Sequence, residues 1–272
     1  MGRTRSFLLH GTMVMIAVLT LTPGLWMVSA SLMPAGEASM YPPSLIPTRI
    51  SFEHYVTLFT RLDVARYLLN SVILSVSITA ISLLFNSMAG YAFAKYRFAG
   101  KDRLFRLLVA EMVIPAQVTT LPLFLMLNKV GLINTYFGVI VAGMATIYGV
   151  FLMRQFALSI PDSLIEAARM DGASEFKIYW SLILPLSKPI LVTLALFTFM
   201  GAWNDFFWPL IVLTDDRMYT LPVALAILTG EHVQDTELMM AGSVLTVLPV
   251  LVIFVALQKY YISGIMLGGE KG

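Results

Sequence analysis

Asp205 is the one charged residue between Pro189 and Thr214, a stretch dominated by apolar side chains. A carboxylate in such a run is costly to place in hydrocarbon, and usually faces a bundle interior or a water-filled path. Asn204 stands beside it, Pro209 lies four residues on, and Trp203 and Trp208 flank the pair. Proline removes a backbone donor and opens a helix locally, which frees a carbonyl oxygen. Trp203, Asn204, Asp205 and Trp208 are therefore a candidate lining for a polar pathway. The plainer reading puts Asp205 near the outer end of its helix, hydrogen-bonded to a neighbouring one. Glu111 is the other acid inside a long apolar run, Leu107 to Asn128. Near the inner end of that run, it reads as an ordinary interfacial carboxylate.

Polar chemistry of a second kind lies in Ser163 to Pro185, a glycine-jointed segment in an otherwise apolar chain. Its pattern predicts two short helices around an elbow. Ser163 followed three residues later by Glu166 is a capping box. Ala167 and Ala168 keep one helix face small. Gly172 suits the left-handed residue that ends a helix. Ser174 suits the next cap, and Pro185 and Pro189 are expected to stop and restart the helix. A small-residue helix jutting from a membrane domain suits docking onto another protein.

The chemistry of an engine is missing from the sequence. No Gly-Lys pair is followed by Ser or Thr, so there is no phosphate-binding loop, and neither H-E-x-x-H nor G-x-S-x-G occurs. His10, His54 and His232 fall in different segments, which disfavours a histidine metal site. The absence of cysteine excludes disulfides and thiolate ligands. No cofactor is expected on this chain.

Composition says what must position these groups. Charged residues make up 12% of the chain and hydrophobic ones 58%, against about 25% charged in a soluble domain. Mean hydropathy is +0.82. This is an integral membrane protein. A net charge of +2, with no Lys/Arg block interleaved with aromatics, argues against nucleic acid. Charge-free gaps at Ser6–Gly36, Tyr67–Ala94, Val130–Met153 and Leu238–Gln258 join the Glu111 and Asp205 runs. Each reaches the roughly 20 residues needed to span a bilayer, so the expected fold is all-α with about six transmembrane helices. Long apolar runs exclude a β-barrel.

With the N-terminus in the cytoplasm, thirteen of the 18 Lys and Arg residues fall on the inner side. That bias predicts N-in and C-in, with Glu166 to Pro185 in the cytoplasm. Arg3 and Arg5 before an apolar run, with Val28-Ser29-Ala30 as a cleavage site, also fit a signal peptide. The run exceeds the usual signal core, so a retained first helix is expected. Pro34, Pro42, Pro43 and Pro47 predict extended chain outside the membrane. Phe52, Tyr55, Val56 and Phe59 then fall at helical spacing, as a surface helix would have them. Gly138, Gly143 and Gly149 predict close packing within the chain.

The segment Glu166-Ala167-Ala168, Asp171-Gly172-Ala173, Ile178 and Leu184-Pro185 resembles the EAA loop of permease subunits of ATP-binding-cassette importers. Most of the chain is similar to the carbohydrate branch of that family, of maltose/glycerol-phosphate type. The similarity includes Pro23 to Ser29, Asn70-Ser71, Ala89 to Phe98, Ile114 to Gln117, Gly201 to Leu210 and Gly264 to Gly272. Gly90, where the branch often has alanine, is a mild departure. The resemblance implies an importer subunit without its own ATPase site. It implies two separate ATPase subunits that bind ATP and Mg and grip the loop at about 159–189. It also implies a second, different permease, an extracytoplasmic solute-binding protein, and the cytoplasmic membrane of a bacterium or archaeon. Residues 1–66 would be a first helix with the external Pro-rich segment, and 67–272 a five-helix core. The tryptophans beside Asp205 could stack on a sugar ring. Two rivals are an ion-coupled secondary transporter, which would need repeats and paired midplane charges, and an intramembrane enzyme or assembly factor.

Overall fold

The computed structural model describes residues 3–231 and 235–269, and the regular structure among them is helical throughout. His232 and the end of the Gly264–Gly272 tail, Lys271 included, lie outside the described residues. Three of the expected spans are long continuous helices: α1 (Arg3–Ala30), α3 (Val64–Lys95) and α14 (Thr236–Gly269). The short α2 (Glu53–Thr60) lies between the first two, and α13 (Leu221–Glu231) comes before the last. The other expected runs are bent pairs. α4 (Lys101–Glu111) and α5 (Ala116–Lys129) meet at 105°. α6 (Tyr136–Gly143) and α7 (Ile147–Ser159) meet at 44°. The helical stretch Glu175–Leu186 meets the helix Lys188–Trp203 at 78°. These bent pairs take up the remaining three apolar runs, so all six expected runs are helical.

The breaks correct the expectation of continuous helices, and each has a local cause. Pro115 disfavours helical geometry at Ile114 and sits at the cap of α5 with ψ 132°. Thr146 leaves the helix with extended backbone, and its hydroxyl accepts from the Gly149 amide at 3.1 Å, capping α7. The fifth run, expected to continue to Thr214, breaks after Trp203.

The chain packs as two compact units, Met1–Arg66 with Ala224–Val250 and Tyr67–Val223 with Leu251–Gly272. In the first, the proline-rich segment is a series of turns rather than the extended chain expected. Side chains tie it down. The buried Glu37 carboxylate accepts from the Thr48 amide and hydroxyl at 2.9 and 3.0 Å. Glu237, also buried, accepts from the Ala38 amide at 2.7 Å. α2 buries His54 and Leu58 and leaves Phe52, Val56 and Phe59 exposed, while Tyr55 bonds the Ser31 hydroxyl at 2.8 Å.

The second unit holds the candidate sites. One core cluster joins Tyr91, Met153, Ile160, Ile165, Ile178, Tyr179, Ile183 and Leu194. Another joins Leu74, Ile78, Leu127, Val139, Trp208 and Val212. Missing side chains let the helices approach. A Cβ on Gly90 would lie 2.6 Å from the Met153 Cβ and 2.8 Å from the Arg154 amide nitrogen. Cβ atoms on Gly149, Gly143 and Gly138 would meet Asn86, Ile78 and Leu132, so these glycines pack within the chain. Buried amides bridge the same elements. Asn86 donates to Ser82 and Thr146 and accepts from the Thr146 amide at 2.9 Å. Asn70 donates to the Arg217 and Tyr219 carbonyls, each at 2.9 Å, and accepts from the Tyr136 hydroxyl at 2.7 Å.

Candidate functional site

The loop forms the two helices and elbow that its sequence predicts, with two corrections. α8 (Asp162–Met170) begins one residue before Ser163, with Pro161 at the cap and no side-chain capping bond. Pro161 is fixed at φ −61° with extended ψ 134°, so the helix starts directly behind it. The Ser163–Glu166 capping box therefore does not form. Asp162 supplies the first-turn acid and accepts from the Lys95 ammonium at 2.6 Å, while Lys95 also donates to the Ile160 carbonyl at 2.5 Å.

The elbow itself is a Schellman motif. Gly172 takes φ +78°. Its amide bonds the Arg169 carbonyl, and the Ala173 amide bonds the Ala168 carbonyl, both at 3.0 Å. Ala168 and Ala173 both pack on the core cluster, which supplies the apolar contact such a motif uses. Ser174 caps α9 (Glu175–Ile178) by accepting from the Lys177 amide at 3.3 Å. Arg169 grips Glu175 in a two-pronged ion pair at 2.7 and 3.2 Å across the elbow. Tyr96 lies one residue past the end of α3, and burial foremost, with the neighbouring Glu175 charge, pushes its pKa up.

The second correction concerns Pro185. It does not end the helix. A π-helical turn, Tyr179–Ile183, precedes α10 (Leu184–Leu186), and the break falls at Ser187 before α11 (Lys188–Trp203), with Pro189 in its first turn. Widening the turn gives the proline ring room against the carbonyl four residues back.

The loop thus has two faces. Ile165, Ala168, Ala173 and Ile178 turn inward, and Leu184 packs partly against the same core. Glu166, Ala167 and Asp171 face out, together with Leu164, Met170 at 88% exposure and Phe176 at 68%. Large apolar side chains held out on a braced loop mark an interaction surface. Leu164, Met170 and Phe176 escaped the sequence reading. Met170 has a signal, since it falls off the helical period of the inward-facing Ile165 and Ala168.

The second candidate site is a cleft of about 350 Å³ walled by α3, α6, α7 and α11. Asp205 and Trp208 line it, as do Thr146, Tyr148 and Thr198, which the sequence reading missed. The Asp205 carboxylate accepts from the Trp208 amide at 3.2 Å and so caps α12 (Phe207–Val212). This differs from the plainer expectation of a bond to a neighbouring helix. The Trp208 indole donates to the Gly138 carbonyl at 3.2 Å, fixing its ring in the wall. Trp203 and Asn204 do not line the cleft. Trp203 is 1% exposed and stacked on Phe199 with centroids 5.8 Å apart. Asn204 donates to the Met200 carbonyl at 2.8 Å and closes the end of α11. Of the four residues proposed for the pathway, the fold gathers two.

Residues 86–266 match the family described as binding-protein-dependent transport system inner membrane component, and the chain belongs to that family. Over 270 residues it is 37% identical to an arabinooligosaccharides transport system permease protein, AraQ, of Halalkalibacterium halodurans, covering 98% of this chain and 97% of that one. It is 31% identical to a diacetylchitobiose uptake system permease protein, NgcG, of Streptomyces coelicolor, covering 92% and 84%. A bacterial ABC transporter involved in the import of the polysaccharide alginate superposes with TM-score 0.84 at 25% identity, over 96% of this chain and 99% of that one. The chain is accordingly a multi-pass component of the cytoplasmic membrane and a transport subunit rather than an enzyme. Family membership sets aside the secondary-transporter and intramembrane-enzyme readings.

Proposed function

We propose that the chain is one of two different permease subunits of an ATP-driven importer for oligosaccharides, with both termini in the cytoplasm. Residues 67–272 form the transport core. Two ATPase subunits, which bind the ATP and Mg, dock on the outward face of α8 and α9, and an external solute-binding protein delivers the sugar. One observation carries this reading: a loop braced to α3 by the Lys95–Asp162 ion pair and across its own elbow by Arg169–Glu175 holds Met170 and Phe176 outward. Such a loop resists bending, so force applied to its exposed face passes into the helices that wall the Asp205 cleft. Alternation between inward- and outward-facing states needs partners that bind the two states unequally. The ATP-loaded ATPases and the loaded binding protein supply that difference. In the cleft, Asp205 offers acceptor oxygens to sugar hydroxyls and Trp208 an aromatic surface. The substrate class follows the relatives named above.

The test is purification from detergent with a tag on this chain. ATPase and second permease subunits should accompany it, and the complex in vesicles should take up labelled arabino-oligosaccharide only with ATP inside and binding protein outside. Uptake by this chain alone, without ATP, would overturn the proposal.

A further inference from the structure

We propose that α4 lies in the membrane surface and that its basic side holds the headgroup of an anionic phospholipid. The 105° turn between α4 and α5 takes α4 off the line of its successor. α4 then presents three sides. Phe105 faces the protein, its ring 5.4 Å from that of Phe93 and stacked on Phe151 at 6.4 Å, with the Arg154 guanidinium 4.0 Å above it. Leu104 and Leu107 form an exposed apolar strip, at 47% and 69%. Arg103 and Arg106 stand on the third side.

With Arg97 and Lys101, these arginines surround a cleft of about 560 Å³ in which Asp102 is the one acid. Lys101 donates to the Tyr96 carbonyl and Arg106 to the Asp102 carbonyl. Arg103 makes no hydrogen bond or ion pair among the described residues. Four cations against one carboxylate call for an anion. The leucines say which one: Leu107 is four residues from Arg103 and so lies beside it on the helix surface. A ligand that satisfies both is a phosphate joined to acyl chains. An amphipathic helix of this design lies in the interface with its apolar side in the acyl boundary and its basic side among anionic headgroups.

The experiment uses the full chain in whatever assembly it purifies, titrated with phosphatidylglycerol or phosphatidylcholine and read by native mass spectrometry. Lipid retention does not depend on transport, so this proposal and the importer reading can fail separately. Phosphatidylglycerol should bind tighter than phosphatidylcholine. Each surface arginine contributes roughly fivefold, so Arg103→Gln with Arg106→Gln should weaken phosphatidylglycerol about 25-fold and leave phosphatidylcholine unchanged. Glutamine keeps the helix propensity, so α4 stays formed. Leu104→Ser with Leu107→Ser should weaken phosphatidylglycerol as well. Equal affinity for the two lipids, or an unchanged affinity in the arginine variant, would overturn the proposal. So would competition by free glycerol phosphate at matching concentration, which would make the cleft a soluble-anion site.

Discussion

Gly172 is the joint on which the coupling proposal turns, and its replacement separates backbone geometry from side-chain bulk. A Cβ built on Gly172 meets nothing within 4 Å, so a substitution there costs no clash within the chain. What it costs is the backbone: φ is +78°, which non-glycine residues reach at about 1–2 kcal/mol. A penalty of that size lowers the fraction of chains with a native elbow roughly 5–30-fold relative to competing geometries. The two 3.0 Å Schellman bonds loosen with it, and with them the alignment of Arg169 on Glu175. The series Gly172→Asn, Gly172→Ala, Gly172→Val should therefore fall in that order. Asn tolerates the left-handed region best, and a β-branched residue tolerates it worst. The assay is hydrogen exchange across 162–178 with ATP-driven uptake by the reconstituted complex. Amounts in the membrane should not change, because the loop lies outside the apolar spans. If Asn proves as damaging as Val, side-chain volume against a docked partner is the cause and the backbone argument fails. Wild-type uptake in the Val variant would show that the elbow carries no stroke.

Asp205→Asn keeps an oxygen to cap α12, so the complex should assemble in normal amounts while sugar transport changes; loss of assembly would assign Asp205 to structure alone. The Asp162 carboxyl is held below its ordinary 3.8 by the hydrogen bond from Lys95, then by the charge on that lysine. A depressed value means that the brace is fully present above 3.8 and is lost only as pH falls through the lowered value. A spin label at position 166 should therefore report constant mobility between about pH 7 and 5 and loosening only below the ordinary carboxylate range, whereas Lys95→Met should be loose throughout. Gly149→Ala drives a Cβ into the Asn86 amide and should destabilise the solubilised chain by about 1–3 kcal/mol. Gly24→Ala, with open space around it, should leave the melting temperature unchanged.

Much of this architecture was legible because a bilayer imposes length on composition: gaps between charges of about 20 residues became helices. The elbow was legible for the same kind of reason, since Gly172 and Ser174 are residue types that few other backbone positions favour. Direction was not legible. The charge count across Leu107–Asn128 says that the run is apolar, not that Phe105 seats α4 on Phe93 and Phe151 at 105° to α5. The cap of α8 was misplaced because Ser163 and Glu166 fit a local rule that Pro161 pre-empts one residue earlier. Trp203 was given a role beside Asp205 from sequence adjacency. The break at Asn204 instead leaves Trp203 stacked on Phe199, with Trp208 in the wall of the cleft.

Gly90 brings α3 almost onto the backbone of α7, with its Cβ position only 2.8 Å from the Arg154 nitrogen, while Gly149 makes room for the Asn86 amide. Two rods in that condition have little soft padding between them to compress. In the proposed cycle they turn as a single lever, clamped at its loop end by Lys95 on Asp162 and reaching, at Thr146, the wall of the cleft. The hinges then fall where the helices are interrupted, at residues 112–115, 144–146 and 187. In mechanical terms the linkage has little backlash, so its stroke is set by covalent geometry rather than by the compliance of a side-chain core.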